Sequence, residues 1–168
     1  MHAEAWAWLS NEIRPALFAA KSVLDFGGCD VNGSPRSLFS PQTRYTVMDW
    51  RAGPNVDFVA DASKWVPPED CLSSFDAVVC TEVFEHAKHW RGILYNMWLA
   101  VKPVGTCLIT CAIDPRVPHS VVGIEPPPSG EWYRNVCPDD LLLAVRFLFR
   151  DVRHVIHPRG DIYVKGVK

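Results

Sequence analysis

The stretch SVLDFGGCDVNG, residues 22–33, decides the fold. An apolar run closes on Asp25, breaks at Gly27-Gly28 and meets a further glycine at Gly33. This reads as a short buried strand that stops in a tight turn, because glycine adopts backbone angles closed to other residues and lets a ligand approach the main chain. Three later runs repeat the pattern: YTVMDW (45–50), VDFVAD (56–61) and FDAVVCTE (75–82), each β-rich and each with an acid near its carboxyl end. The unbroken apolar character of 75–82 suits a strand covered on both faces, as parallel sheets require.

Helical spacing separates these runs from others. Trp6, Leu9, Ile13 and Leu17 predict an amphipathic helix within 3–20, which Pro15 should kink or split. Ile93, Leu94, Met97, Trp98 and Val101 share one face of a helix over 90–101, and Lys102-Pro103-Val104-Gly105 predicts its stop before β character resumes in TCLITCA (106–112). Residues 114–135 are rich in proline and polar groups, too long for a plain connector, and read as a lid or a mobile loop. Pro138-Asp139-Asp140 opens a last helix running to about Phe149, with proline suited to the first turn and acids to the positive end of the dipole. VRHVIH and DIYVKGV, around Pro158-Arg159-Gly160, predict a closing hairpin. Strands alternating with helices imply a parallel sheet wound on both faces with an antiparallel edge. Ligands of such sheets bind outside the carboxyl ends of the strands, where all the acids noted above fall.

Composition narrows the function. A chain of 168 residues builds one domain with a substantial core. The formal charge of −2 supplies no basic field for a nucleic-acid backbone, which argues against that class of partner. No apolar run approaches a membrane span and the N-terminus lacks a signal pattern, so a cytoplasmic protein is expected. Cys80, Cys107 and Cys111 lie in apolar runs and read as buried thiols of a reducing compartment, and no CxxC pair offers a structural zinc site.

The acids point to a nucleoside ligand. Asp49, about two dozen residues beyond Asp25 at the end of the second strand, can accept two hydrogen bonds from ribose hydroxyls. Asp61 ends the third strand, within reach of an adenine amino group. The G-x-G-x-x-G turn that cradles a pyrophosphate is absent, which disfavours a nicotinamide oxidoreductase. Acids beside the turn instead suit a ligand bearing an ammonium and a sulfonium.

In their order, VLDFGGCDVNGS, YTVMDW, DFVADA, FDAVVCTEVFEHA and WLAVKPVGTCLIT resemble the motifs of class I S-adenosylmethionine-dependent methyltransferases, most closely the type 11 group, over about residues 22–112. The resemblance implies an α/β Rossmann-like domain whose mostly parallel seven-stranded sheet has the order 3-2-1-4-5-7-6, the last strand antiparallel and helices on both faces. It implies one domain over 1–168: a helical segment (1–21), a cofactor-binding core (22–112), an acceptor-side loop (113–137) and a last helix with its hairpin (138–168). S-adenosylmethionine is then the cofactor and S-adenosylhomocysteine the product. Carried over by position, Asp25, Phe26, Gly27, Gly28 and Gly33 form the turn facing the methionine part, while Asp30 either joins them or caps the next helix. Asp49 takes the ribose, Trp50 lies against the adenine, Asp61 and Ala62 meet its edge, and Thr81 and Glu82 line the pocket beneath the sulfonium.

Glu85 and His86, just beyond the fourth strand, are the candidate catalytic residues. His86 is either a general base or a shaper of its loop. No aspartate ends the fourth strand as in metal-dependent catechol-type enzymes, so no metal is expected at His86 or His89. In the long loop, Arg116, His119, Trp132, Tyr133 and Arg134 either clamp an anionic or aromatic acceptor or pack the loop down. Cys80-Thr81-Glu82-Val83 replaces the Asn/Asp-Pro-Pro-aromatic motif of amino-methylating nucleic-acid enzymes, and Cys137-Pro138 reverses the Pro-Cys of cytosine C5 enzymes. A small-molecule acceptor follows by elimination. The alternative is a protein that binds S-adenosylmethionine or S-adenosylhomocysteine without turnover, as a regulator or interaction subunit. Monomer and homodimer both stay open.

Overall fold

The computed structural model describes residues 2–31 and 33–168; Met1, and Asn32 within the glycine-rich turn, lie outside the described residues. The chain runs α1 (Ala3–Ala16), β1 (Ser22–Phe26), β2 (Arg44–Asp49), β3 (Phe58–Val59), β4 (Phe75–Thr81), α2 (Trp90–Ala100), β5 (Val101–Ala112), α3 (Pro138–Leu148), β6 (Arg150–His157) and β7 (Asp161–Val167). The seven strands form one sheet in the order β3-β2-β1-β4-β5-β7-β6. β1 pairs parallel with β2 and β4, β4 parallel with β5, and β7 antiparallel with both β5 and β6. This is the expected Rossmann-like architecture, with the carboxyl ends of β1, β2, β3 and β4 along one edge.

Alternation along β4 shows how both faces are covered. Val78 and Cys80 point into a cluster with Leu24, Phe26 and Ile109 beneath Ile93, Leu94 and Met97 of α2 and Leu141 and Val145 of α3. Ala77 and Val79 point the other way, to Val23, Val47 and Leu108, where Leu9 and Ile13 of α1 close the core. Cys80, Cys107 and Cys111 are buried free thiols, as expected. No helix among the described residues is long and apolar enough to cross a membrane.

Four local expectations are corrected. No α-helix follows β1: Pro35–Leu38 makes one turn of 3₁₀ helix, with Ser34 Oγ accepting from the Arg36 amide at 3.2 Å. The third strand shrinks to Phe58–Val59, because the Asp57 carboxylate takes the Val47 amide at 2.8 Å that a longer ladder would have used. Lys102–Gly105 does not interrupt β character; β5 starts at Val101 opposite Phe75 and absorbs the stretch as a register irregularity. Pro15 sits in the last turn of α1 and does not split it.

At the end of β1 the side chain of Asp25 is fully buried, and Tyr45 Oη donates to its Oδ2 at 2.7 Å. Burial pushes this carboxyl up to about 7 against the pull of the Tyr45 hydrogen bond, and the neighbouring Asp49 charge adds to burial. Two substitutions probe the frame. Leu9→Ala should cost about 2–5 kcal/mol in urea unfolding, since Leu9 is fully buried in the core on that face of the sheet; a loss below about 1 kcal/mol would mean that α1 is not docked. For Asp25, the folded chain holds a proton between 3.8 and about 7 that the unfolded chain has released. Its contribution is therefore present at low pH and lost as pH rises through about 7. In the cofactor-free protein, Asp25→Asn should match wild type near pH ~4 and exceed it by up to about 4 kcal/mol near pH ~8. An equal difference at both pH values would contradict this.

Candidate active site at the carboxyl edge of the sheet

A cavity of about 710 Å³ opens above the carboxyl ends of β1, β2 and β4. Its floor exists because two residues lack side chains. Gly27 has φ +77°, and a Cβ there would lie 2.4 Å from Val83 Cγ2. At Gly28 a Cβ would lie 2.5 Å from Asp25 Oδ2. The chain thus turns tightly enough to leave room over the sheet edge.

The acids are held in different ways. Asp49, 6% exposed, accepts from the Cys29 and Arg51 amides at 3.2 Å each, which fixes its carboxylate on the cavity wall. Asp25 Oδ1 is buried without a hydrogen-bond partner. Asp61 lines the cavity, but its carboxylate binds the Ser63 amide at 3.0 Å and Ser63 Oγ at 2.7 Å, with Lys64 Nζ at 3.1 Å. These partners, Ser63 first, hold its carboxyl below the usual range. Trp50 stands 63% exposed on the rim, an aromatic face open to a planar base. Gly33, Ala62, Thr81 and Glu82 also line the cavity. An unpartnered buried carboxyl oxygen, a turn with no room for a Cβ and a fixed second carboxylate fit a cofactor carrying an ammonium and a ribose.

Two residues of the expected set lie elsewhere. Phe26 is core, its ring edge-on to Trp65 at 5.8 Å. Asp30 faces away from the cavity: it accepts from the Gly33 amide at 2.9 Å and from Asn55 Nδ2 at 3.2 Å, and so closes the turn.

Beyond β4 the backbone is strained. Glu82 has φ +55°, unusual for a residue with a side chain, and its Oε1 accepts from Thr110 Oγ1 at 2.7 Å while Oε2 is buried without a partner. Glu85 is fully buried behind the cavity wall; the Ala112 amide reaches its Oε1 at 3.2 Å and Oε2 has no partner. Burial, then the Glu82 charge, pushes the Glu85 carboxyl well above the carboxylate range. His86 lines the cavity with its Nδ1 buried and unpartnered, and burial followed by His119 lowers its pKa to about 4.

The long loop folds over this side of the cavity. Ser120, 1% exposed, anchors it through the Ile124 amide at 2.8 Å, and the Arg134 amide donates to the Glu85 carbonyl at 2.8 Å. His119 and Trp132 line the cavity, and Tyr133 packs its ring against His86 and His119 at 5.2 and 4.9 Å. Arg116 does not: its guanidinium takes both Asp161 oxygens at 3.1 Å. Arg134 is exposed and outside the lining. Sequence reasoning missed His2 and Val83. Val83 is adjacent to a quoted motif, but its seat on Gly27 is a tertiary contact; His2 comes from the far end of the chain to within 3.9 Å of Glu82 Oε2.

Known proteins share this frame. The family model of a methyltransferase domain matches residues 18–109. A search of curated proteins finds no significant match. Among solved structures, the Burkholderia thailandensis 1,6-didemethyltoxoflavin-N1-methyltransferase, with 1,6-didemethyltoxoflavin and S-adenosylhomocysteine bound, superposes with a TM-score of 0.67 at 17% identity, over 98% of this chain and 78% of that one. Haemonchus contortus phosphoethanolamine N-methyltransferase 2, in complex with S-adenosyl-L-methionine, gives 0.67 at 15% identity over 98% of this chain and 56% of that one. An Archaeoglobus fulgidus SAM-dependent methyltransferase gives 0.66 at 14% identity over 97% and 94%. At these identities the superpositions speak for the fold, and the family rests on the model match across more than half of the chain. The chain belongs to the class I S-adenosylmethionine-dependent methyltransferases, and S-adenosylmethionine is its cofactor.

Proposed function

We propose that the chain transfers a methyl group from S-adenosylmethionine to a small-molecule acceptor, acting in the cytoplasm as one catalytic domain over residues 1–168. The observation that carries this reading is a continuous cavity that runs from the glycine turn, past Asp49 and Glu82, to His119 and Trp132 under the loop. Its volume of about 710 Å³ lies within the ~300–1,000 Å³ typical of small-molecule sites. A roofed cavity suits an acceptor that is enclosed, whereas a polymer asks for an open track.

When bound, the cofactor supplies a methyl group on a positively charged sulfur, which is electrophilic without further activation. The protein's part is mostly positional. Asp49 would hold the ribose, Asp25 would meet the ammonium with its unpartnered oxygen, and Trp50 would cover the base. The segment Thr81–Val83 would hold the reacting end against the acceptor. The loop carrying His119 and Trp132 would exclude water from the side where the acceptor docks. Phosphoethanolamine and 1,6-didemethyltoxoflavin, named for two of the structural neighbours, are small molecules of very different shape, so neither is carried over as the acceptor.

Calorimetry should give one site per chain for S-adenosylmethionine and S-adenosylhomocysteine and none for NAD. Asp49→Ala, shown folded by its thermal melt, should weaken both by about 2–3 kcal/mol, roughly 30- to 150-fold, for two lost hydrogen bonds to a carboxylate. With labelled cofactor, label should enter the small-molecule fraction of cell extracts and not DNA, RNA or protein. Tight binding without label in any fraction would overturn methyl transfer and leave a binding protein.

A further inference from the structure

The side of the cavity away from the glycine turn gathers groups that the proposed transfer leaves unexplained. Glu85, His86 and His119 each place one ligand-type atom within 4.8 Å of the others. They come from two segments: Glu85 and His86 from the short helical turn after β4, His119 from the loop above it. Three of the few buried side-chain atoms without a hydrogen-bond partner cluster in this region, namely Glu82 Oε2, Glu85 Oε2 and His86 Nδ1. The Glu85 side chain is fully buried, so its orphaned oxygen is not answered by solvent. A buried carboxyl oxygen and a buried imidazole nitrogen both cost free energy when left unpaired.

We infer that Glu85, His86 and His119 bind a first-row divalent metal ion, with Glu82 as the adjacent carboxylate that completes its charge balance. A cation held by these three residues offsets the buried Glu85 carboxyl in its ionised form, and the Glu82 charge, which acts on Glu85, adds to the field that draws it in. His119 is already set for this role: its Nδ1 lies 3.0 Å from the Val117 carbonyl, and donation there leaves Nε2 with a lone pair. Such a carbonyl behind a ligating imidazole fixes tautomer and ring direction. Tyr133 holds the two rings from the side, with His86 and His119 nearly perpendicular at 81° and 5.3 Å apart. Paired imidazoles favour manganese, iron, cobalt or zinc over magnesium or calcium, which prefer all-oxygen sets. The site departs from the expectation that no metal binds here, because the third ligand is a loop histidine and not an aspartate at the end of the fourth strand.

His86, His119 and Glu82 also line the cavity, so an ion here faces the acceptor side and not the glycine turn. On the methyl-transfer reading it would bind an acceptor through oxygen and ease loss of its proton; binding of the ion itself does not depend on that reading.

The test uses chelator-treated full-length protein titrated with Co²⁺. One equivalent should give the visible absorption bands of a mixed nitrogen–oxygen site, and Mn²⁺ or Zn²⁺ should displace it where Mg²⁺ does not. His119→Ala, in a partly exposed loop, should weaken Co²⁺ at least ~100-fold, as should Glu85→Gln, while His154→Ala on the exposed β6 should bind as wild type. Calorimetry with S-adenosylhomocysteine on His119→Ala separates the two claims, since cofactor binding should survive there. Absence of the bands, or bands equal in His119→Ala and His154→Ala, would overturn the metal site whatever the cofactor result.

Discussion

A carboxyl buried near the carboxyl end of β1, its pKa raised by burial, sets the conditions for everything around it. Asp25 accepts the Tyr45 hydroxyl at 2.7 Å and presses against Gly28, where no side chain fits. The same crowding forces the chain to turn at Gly27 under Val83, which ties the end of β1 to the segment leaving β4. Between these contacts the carboxyl edge opens, and Asp49 is pinned across the gap by the Cys29 amide. A cationic ligand then converts an electrostatic liability into an attraction, because an ionised Asp25 is costly only while it has no counter-charge.

The opposite side of the cavity follows a different logic. Its acids and imidazoles are brought together by a strained residue, Glu82, and by a loop that returns its Arg134 amide to the Glu85 carbonyl. Strain at the mouth of a strand persists only where surrounding contacts fix it, and here the Thr110 hydroxyl and amide ladder do so. One wall is thus set by a tight turn at two glycines, and the other by a strained residue and a loop that returns from later in the chain.

Much of this frame was legible in the residues. Strand identity follows from short apolar runs, and an acid closing each run marks the binding edge without any tertiary information. The missing helix after β1 was not legible, because SPRSL opens like a helix and yields only a 3₁₀ turn. The shortened β3 depended on Asp57 turning back to an amide of β2, and the reading of Arg116 as an acceptor clamp depended on not knowing that Asp161 claims it. His119 meeting Glu85 and His86 is of the same kind. Such pairings join residues ten to forty-five positions apart, and no local pattern encodes them.

The central claim is that the glycine turn, Asp49 and the exit from β4 together bind the cofactor. It is tested most directly by a ¹⁵N–¹H NMR titration of the labelled chain with S-adenosylhomocysteine. Saturable shifts should concentrate at the amides of Gly27, Gly28, Asp49, Ala62 and Glu82 and leave β6 and β7 unmoved. Shifts confined to other surfaces, or none at saturating ligand, would contradict the account.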